Sequence, residues 1–175
     1  MPCSEKTCIC VCALLLDSAG SLTKDRLSKA PMKSAPQKRG TQIIAANKLE
    51  PIPFKYRDPQ TLIYFTCPEG TSLCPRTGFP DFWTAHIWYV PDQTIVELKS
   101  LKLYLNKFRD EGHYHEELAH LILGDLKKLL SPQYIRVVLD FTRRGNIQTD
   151  VILEFASKNY KGPRAPEWRV RHDFR

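Results

Sequence analysis

Apolar residues along the chain fall into two kinds of pattern. Thr61-Leu62-Ile63-Tyr64-Phe65-Thr66 and the run from Phe82 to Val90 are rich in aromatic and β-branched side chains. Each is closed by turn formers, Cys67-Pro68-Glu69-Gly70 after the first and Pro91-Asp92 after the second, which predicts two strands. Leu98, Leu101, Leu105 and Phe108 then recur at spacings of three and four, which predicts a helix from about Leu98 to Arg109 with Lys99, Lys102 and Lys107 off its apolar stripe. After the polar turn Asp110 to His113, Leu118, Leu121, Ile122, Leu126 and Leu129 repeat that period for a second helix, stopped before Ser131-Pro132. Tyr134 to Thr142 and Gln148 to Phe155 predict a third and a fourth strand, and Gly145-Asn146 between them favours a hairpin. The order β-β-α-α-β-β predicts an α+β fold, an antiparallel sheet with two helices on one face. Four strands leave two open edges, so copies of the chain are expected to pair into an oligomeric barrel with pockets between subunits.

The first third of the chain differs. Residues 17 to 59 are rich in Ser, Lys and Pro, a composition that buries too little to offset chain entropy. Residues 1–55 are therefore expected to be a poorly ordered N-terminal extension and 56–175 the folded domain. Lys6 followed by the apolar run Cys8 to Leu16 makes a poor signal peptide, and Met32 offers a second start. At 175 residues and 42% hydrophobic the chain has enough apolar material for a substantial core. With no run of about 18 apolar residues, no membrane-spanning helix is expected.

The net charge of +7 is unevenly spread: residues 1–50 hold eight Lys and Arg against four Asp and Glu, and residues 51–175 eighteen against fifteen. A mildly basic domain suits a phosphate-bearing small molecule as well as a polynucleotide, and direct nucleic-acid binding is not expected. Cys3, Cys8, Cys10 and Cys12 crowd the N-terminus, whereas Cys67 and Cys74 sit in a Pro- and Gly-rich stretch. A chain with long core-forming elements needs no disulfide scaffold, so a reducing, cytoplasmic compartment is expected.

Three constellations could carry chemistry. In Thr71 to Asp81 a thiol, Cys74, and a carboxylate, Asp81, lie seven residues apart around Arg76 and Gly78. Cys74 is either a thiolate nucleophile with Asp81 returning protons, or an inert buried cysteine with Asp81 capping a turn. In His113-Tyr114-His115-Glu116-Glu117, the carboxylates either serve the dipole of the second helix or, for Glu116, accept the paired N–H groups of a guanine-like edge. Zinc through Cys67, Cys74, His113 and His115 is an alternative, although neither C-x-x-C nor H-x-x-x-H occurs. In Glu97 to Tyr104, Lys99, Ser100 and Lys102 are either a solvated helix edge or a phosphate site near a helix N-terminus. No G-x-G-x-x-G motif is present.

Together, Ser72 to Phe82, Glu97 to Tyr104 and His115-Glu116 resemble, in order and spacing, the NADPH-dependent 7-cyano-7-deazaguanine reductases of the QueF type, in their short single-module form. The resemblance runs from about Thr61 to about Ile147. It implies the tunnelling fold (T-fold), whose β-β-α-α-β-β subunits assemble into barrels, and a four-electron reduction of a nitrile to a primary amine with two NADPH, in queuosine tRNA modification. Carried onto this chain, it makes Cys74 the nucleophile that forms a covalent thioimide and Asp81 the proton donor, with His115 polarising the same nitrogen. Glu116 would hold the substrate's guanine-like edge, and Val96, Glu97 and Leu98 would complete the pocket. Lys99, Ser100 and Lys102 would face NADPH, with Arg143 and Arg144 as further candidates for its phosphate. Phe79 stands where members commonly carry Gln, and the leader to about Pro59 has no counterpart. A zinc-dependent T-fold hydrolase of the GTP cyclohydrolase I kind is the competing expectation.

Overall fold

The computed structural model describes residues 39–46, 48–56 and 58–168. The expectations for the leader before residue 39, including its four cysteines and Met32, lie outside the described residues. A four-stranded antiparallel sheet in the order β2-β3-β5-β6 is built from Ile63–Leu73, Pro80–Val90, Tyr134–Arg144 and Ile147–Ala156. Helices α2, Leu98–Lys107, and α3, His115–Leu130, cover one face. A short 3-10 turn, Phe108–Asp110, follows α2. This is the α+β, β-β-α-α-β-β arrangement that the apolar patterns predict.

The core follows from the two periodicities. Alternate residues Trp83, Ala85, Ile87 and Tyr89 of β3 and Ile135, Val137, Leu139 and Phe141 of β5 point toward the helices. They meet Leu101 and Leu105 of α2 and Leu118, Ile122 and Leu126 of α3, all buried. At about 1.5–3 kcal/mol for each large apolar side chain taken out of water, this layer supplies most of the drive to fold.

Strand β2 is longer than its hydrophobic run. Cys67-Pro68-Glu69-Gly70, expected to end it, instead shifts the pairing register within it, and the ladder resumes at Gly70↔Trp83. The reason is the packing of Trp83. A Cβ on Gly70 would stand 2.0 Å from the Trp83 ring, so glycine at the bulge lets the indole lie flat over the strand. The indole N–H of Trp83 then donates to Ser72 Oγ at 3.3 Å. The extra rungs beyond the bulge carry β2 to the loop that holds Cys74.

Order also begins earlier than composition suggests. Helix α1, Arg39–Ala46, and strand β1, Pro51–Pro53, lie inside the stretch expected to be poorly ordered. β1 pairs antiparallel with β4, Thr94–Val96. The Glu50 N–H donates to Ser100 Oγ at 3.1 Å, and the Glu97 N–H donates to the Glu50 carbonyl at 2.9 Å. Pro51 and Pro53 are tolerated because β1 pairs on one side only. What fixes this segment is bonding to residues some fifty positions away, which local composition does not encode.

The opposite sheet face carries a second cluster, in which Trp88, Val90, Tyr134 and Val138 meet Ala165, Tyr160 and Trp168 of the C-terminal segment. Three hydrogen bonds fasten that segment. The Ala165 N–H donates to the Tyr134 hydroxyl at 3.1 Å, Arg136 Nη1 to the Pro166 carbonyl at 2.8 Å, and Trp168 Nε1 to Asp150 Oδ2 at 2.9 Å. Among the described residues, no helix is long and apolar enough to cross a membrane.

Candidate active site

Cys74 and Asp81 are neighbours because they sit at the two ends of one hairpin. The last rungs of the β2–β3 ladder are Ser72↔Asp81 and Leu73↔Pro80, so the chain from Cys74 to Phe79 only has to turn round. The Cys74 N–H donates to the Phe79 carbonyl and the Gly78 N–H donates to the Cys74 carbonyl, both at 2.8 Å. Gly78 takes a φ of +70°, the left-handed region where glycine carries no Cβ penalty.

This loop activates the thiol. The Thr77 hydroxyl and the backbone N–H groups of Arg76 and Thr77 bond to the Cys74 sulfur, and the Arg144 guanidinium adds to them, bringing its pKa down to about 7. Donors aimed at sulfur stabilise the thiolate over the thiol. Cys74 therefore carries more thiolate near neutral pH than an ordinary cysteine with a pKa near 8.5. The thiol of Cys67 behaves oppositely: it packs against the core, and burial pushes its pKa up.

Asp81 is 2% exposed. Its Oδ1 accepts a hydrogen bond from Arg144 Nη1, and its Oδ2 lies 3.7 Å from His115 Nε2. His115 opens α3, and its ring lies flat on Phe141 with centroids 3.7 Å apart and planes 9° apart. The start of α3 is brought here by the end of β2. The Leu73 N–H donates to the Glu111 carbonyl at 2.9 Å, and the His113 N–H donates back to the Leu73 carbonyl at 3.1 Å. Glu116, in the first turn of α3, is exposed, as is Glu117.

Arg144 joins this group, a place the sequence did not reveal. It ends β5 just before the Gly145-Asn146 turn, where φ is 55° and 69°. A register shift between Phe141 and Arg144 re-aims the strand end. The available signal was a guanidinium beside a hairpin turn, but its partner lies 63 residues upstream. Thr77 was not singled out from the sequence, as a hydroxyl inside a turn has many roles.

Val96, Glu97, Leu98, Lys99, Ser100 and Lys102 form a separate set around the start of α2. Glu97 is the N-cap: its carboxylate accepts from the Lys99 N–H at 2.9 Å and the Ser100 N–H at 2.5 Å, and these donors hold it below the usual carboxylate range. Val96 is buried in the core and Leu98 is 60% exposed. The Lys99 and Ser100 N–H groups at the helix N-terminus are thus bonded to the Glu97 carboxylate. Ser100 is turned inward, its hydroxyl donating to the Glu97 carbonyl at 2.8 Å while accepting the Glu50 N–H. Lys99 and Lys102 are exposed. Lys102 lines a cleft of about 220 Å³ with Cys67, Glu69, Gly70, Trp83 and Leu105. Lys99 lines another, of about 520 Å³, with Lys48, Glu50, Glu97 and Ser100.

The proposed zinc ligands are not gathered. His113 pairs instead with carboxylates, Nε2 at 3.0 Å from Glu111 Oε2 and Nδ1 at 3.7 Å from Glu117 Oε2. Among the described residues, no three His, Cys, Asp or Glu side chains converge as a metal site would require.

Known proteins resemble this chain in sequence and in fold. A family model described as "QueF-like protein" matches residues 80–160. A Bacillus subtilis protein named NADPH-dependent 7-cyano-7-deazaguanine reductase is 44% identical over 130 residues, covering 74% of this chain and 79% of that relative. A Bacillus licheniformis protein of the same name is 44% identical over 126 residues, 71% of this chain and 76% of the relative. The crystal structure of the archaeosine synthase QueF-Like in the apo form superposes with a TM-score of 0.51 at 24% identity, covering 55% of this chain and 94% of that one, a likeness of fold. With relatives this similar over more than three quarters of their length, the chain belongs to the QueF family.

Proposed function

We propose that this protein is an NADPH-dependent oxidoreductase that reduces the nitrile of 7-cyano-7-deazaguanine to the aminomethyl group through a covalent thioimide on Cys74. The observation that carries this reading is a cysteine brought to a pKa of about 7 at a hairpin end where Asp81 and Arg144 also meet. The relatives that share 44% of the aligned residues carry this activity in their names.

The chemistry explains why such a group is needed. A nitrile carbon is a poor hydride acceptor. When the Cys74 thiol passes its proton to Asp81 and the sulfur bonds to that carbon, one π pair of the triple bond moves to nitrogen, which takes that proton from Asp81, leaving S–C=N–H. His115, beside Asp81, would polarise that nitrogen. NADPH, when bound, supplies hydride to the carbon once at this stage and once after the thiolate has left an imine. Nitrogen takes a second proton, so two hydrides and two protons balance the four-electron reduction. Asp81, buried against the nucleophile's loop, suits proton delivery without opening the thioimide to water.

Lys99 and Lys102 fit the coenzyme as exposed point charges for its phosphates, including the 2′-phosphate that distinguishes NADPH from NADH. Glu116 would accept the paired N–H groups of the pyrimidinone edge, and the Val96–Leu98 segment would wall the pocket. Glu116 and Leu98 are exposed in the single chain, and strands β2 and β6 lie at open sheet edges. These features support a homo-oligomeric barrel in which pockets close between copies.

The test is stoichiometric. Purified protein given 7-cyano-7-deazaguanine and NADPH should oxidise two NADPH for each primary amine formed. Absence of nitrile-dependent NADPH oxidation would overturn the proposal. So would conversion of the substrate without NADPH, the outcome that a zinc-dependent hydrolase predicts.

A further inference from the structure

Asp81 does not fix the imidazole of His115. Nε2 and Asp81 Oδ2 stand 3.7 Å apart, beyond hydrogen-bond length. What the imidazole does touch is the face of Phe141, with centroids 3.7 Å apart and planes only 9° from parallel. Phe141 is itself firmly seated. It is 1% exposed, and in the ladder it pairs with Trp83 of β3 and Thr149 of β6. Its carbonyl accepts a hydrogen bond from Gln148 Nε2 at 2.9 Å, at the point where the β5–β6 register shifts. His115, by contrast, opens α3 after an N-cap residue, Tyr114, that makes no side-chain cap bond, and its own side chain is 23% exposed. A fixed core ring therefore carries a less confined one.

We propose that Phe141 is a positioning residue of this active site: its face sets the plane of the His115 ring and holds Nε2 a fixed gap from Asp81, so that both groups point at one substrate nitrogen. The inference rests on the reading of Asp81 as proton donor and His115 as the group that polarises that nitrogen. An atom at the apex over two groups 3.7 Å apart can lie about 2.9 Å from each, so the gap has the width that a nitrogen bonded by both requires. An imidazole free to turn would close the gap by bonding Asp81 directly, and both groups would be withdrawn from the substrate. The stack prevents that turn. Rotation about the Cβ–Cγ bond of His115 tips an edge of its ring into a phenyl already at van der Waals contact. An aliphatic side chain of similar volume fills the same space but offers no flat surface to resist it. The neighbouring charged groups are occupied elsewhere: Glu116 and Glu117 of the same turn are exposed, and Arg144 bonds the other oxygen of Asp81.

The experiment is a double-mutant cycle on the full-length protein, read by nitrile-dependent NADPH oxidation. It compares Phe141→Leu, Phe141→Met, His115→Asn and the two double variants. Phe141→Leu should lower kcat at least about tenfold with the KM for the nitrile changed less than about threefold, the split expected when orientation rather than binding is lost. Phe141→Met, which fills the core more fully and so protects the fold, should show the same loss because it too lacks a flat face. In the His115→Asn background either change should cost less than about twofold more, since Phe141 acts through the imidazole. A crystal structure of Phe141→Met should show the His115 ring turned out of its present plane. An unchanged kcat in both Phe141 variants would overturn the proposal. So would a full further loss in the His115→Asn background, which would make Phe141 a core residue only, or a His115 ring left in place when the phenyl is gone. A failure of the nitrile-reduction reading is distinguishable: the starting protein would then oxidise no NADPH with the nitrile, while the ring position in Phe141→Met still reports on the stack.

Discussion

Cys74→Ala is expected to lower nitrile reduction by at least about a thousandfold, the scale on which removal of a covalent nucleophile acts. The alanine leaves the loop intact, because the hydrogen bonds that close it run between the backbone groups of Cys74, Gly78 and Phe79. Substrate affinity, measured by calorimetry, should change little, since the ring contacts proposed for Glu116 do not involve the sulfur. Turnover above about one per cent of the starting rate would show that another group attacks the carbon. The pH dependence has a definite sign. The thiolate is the reacting form and its pKa is lowered to about 7, so the rate of covalent attack should climb as pH rises through 7 and level off above it. An ordinary cysteine would still be climbing at pH 8.

Asp81→Asn should be the second largest effect, a loss of about a hundred- to ten-thousandfold in turnover, the range for removal of a positioned general acid. Asparagine keeps the shape and can accept from Arg144, but it has no carboxylic proton to give. The structural cost is contained. Arg144 is 41% exposed, so after the change its charge remains hydrated while the asparagine oxygen still accepts its hydrogen bond. Folded stability should therefore fall far less than activity. Measured kcat should drop with substrate affinity retained; a variant that turns over normally would remove Asp81 from proton delivery.

Particular residues show how far the sequence reaches. The two helices and the longer strands were legible because their apolar stripes are long and strictly periodic, and each stripe faces one core. Cys67-Pro68-Glu69-Gly70 misled because proline and glycine end most strands, whereas here they make a bulge over the Trp83 ring. The segment α1–β1 was illegible because its order comes from Glu50 bonding to Ser100 and Glu97, not from its own composition. At the site, the hairpin spacing already brought Cys74 and Asp81 together, and the helix start brought His115 to Asp81. Arg144 was hidden because sequence spacing carries no information about a partner 63 residues away. Glu97 and Ser100 show the converse: residues that suit a ligand site are used in part to cap and anchor α2.

Covalent capture by Cys74 is tested most directly by the mass of its peptide after the full-length protein has been incubated with 7-cyano-7-deazaguanine in the absence of NADPH. Addition without loss of any atom predicts an increase equal to the whole nitrile, located on Cys74 and absent from Cys67, whose thiol is held protonated by burial. An unmodified Cys74 peptide, or the same mass found on a different residue, would contradict it.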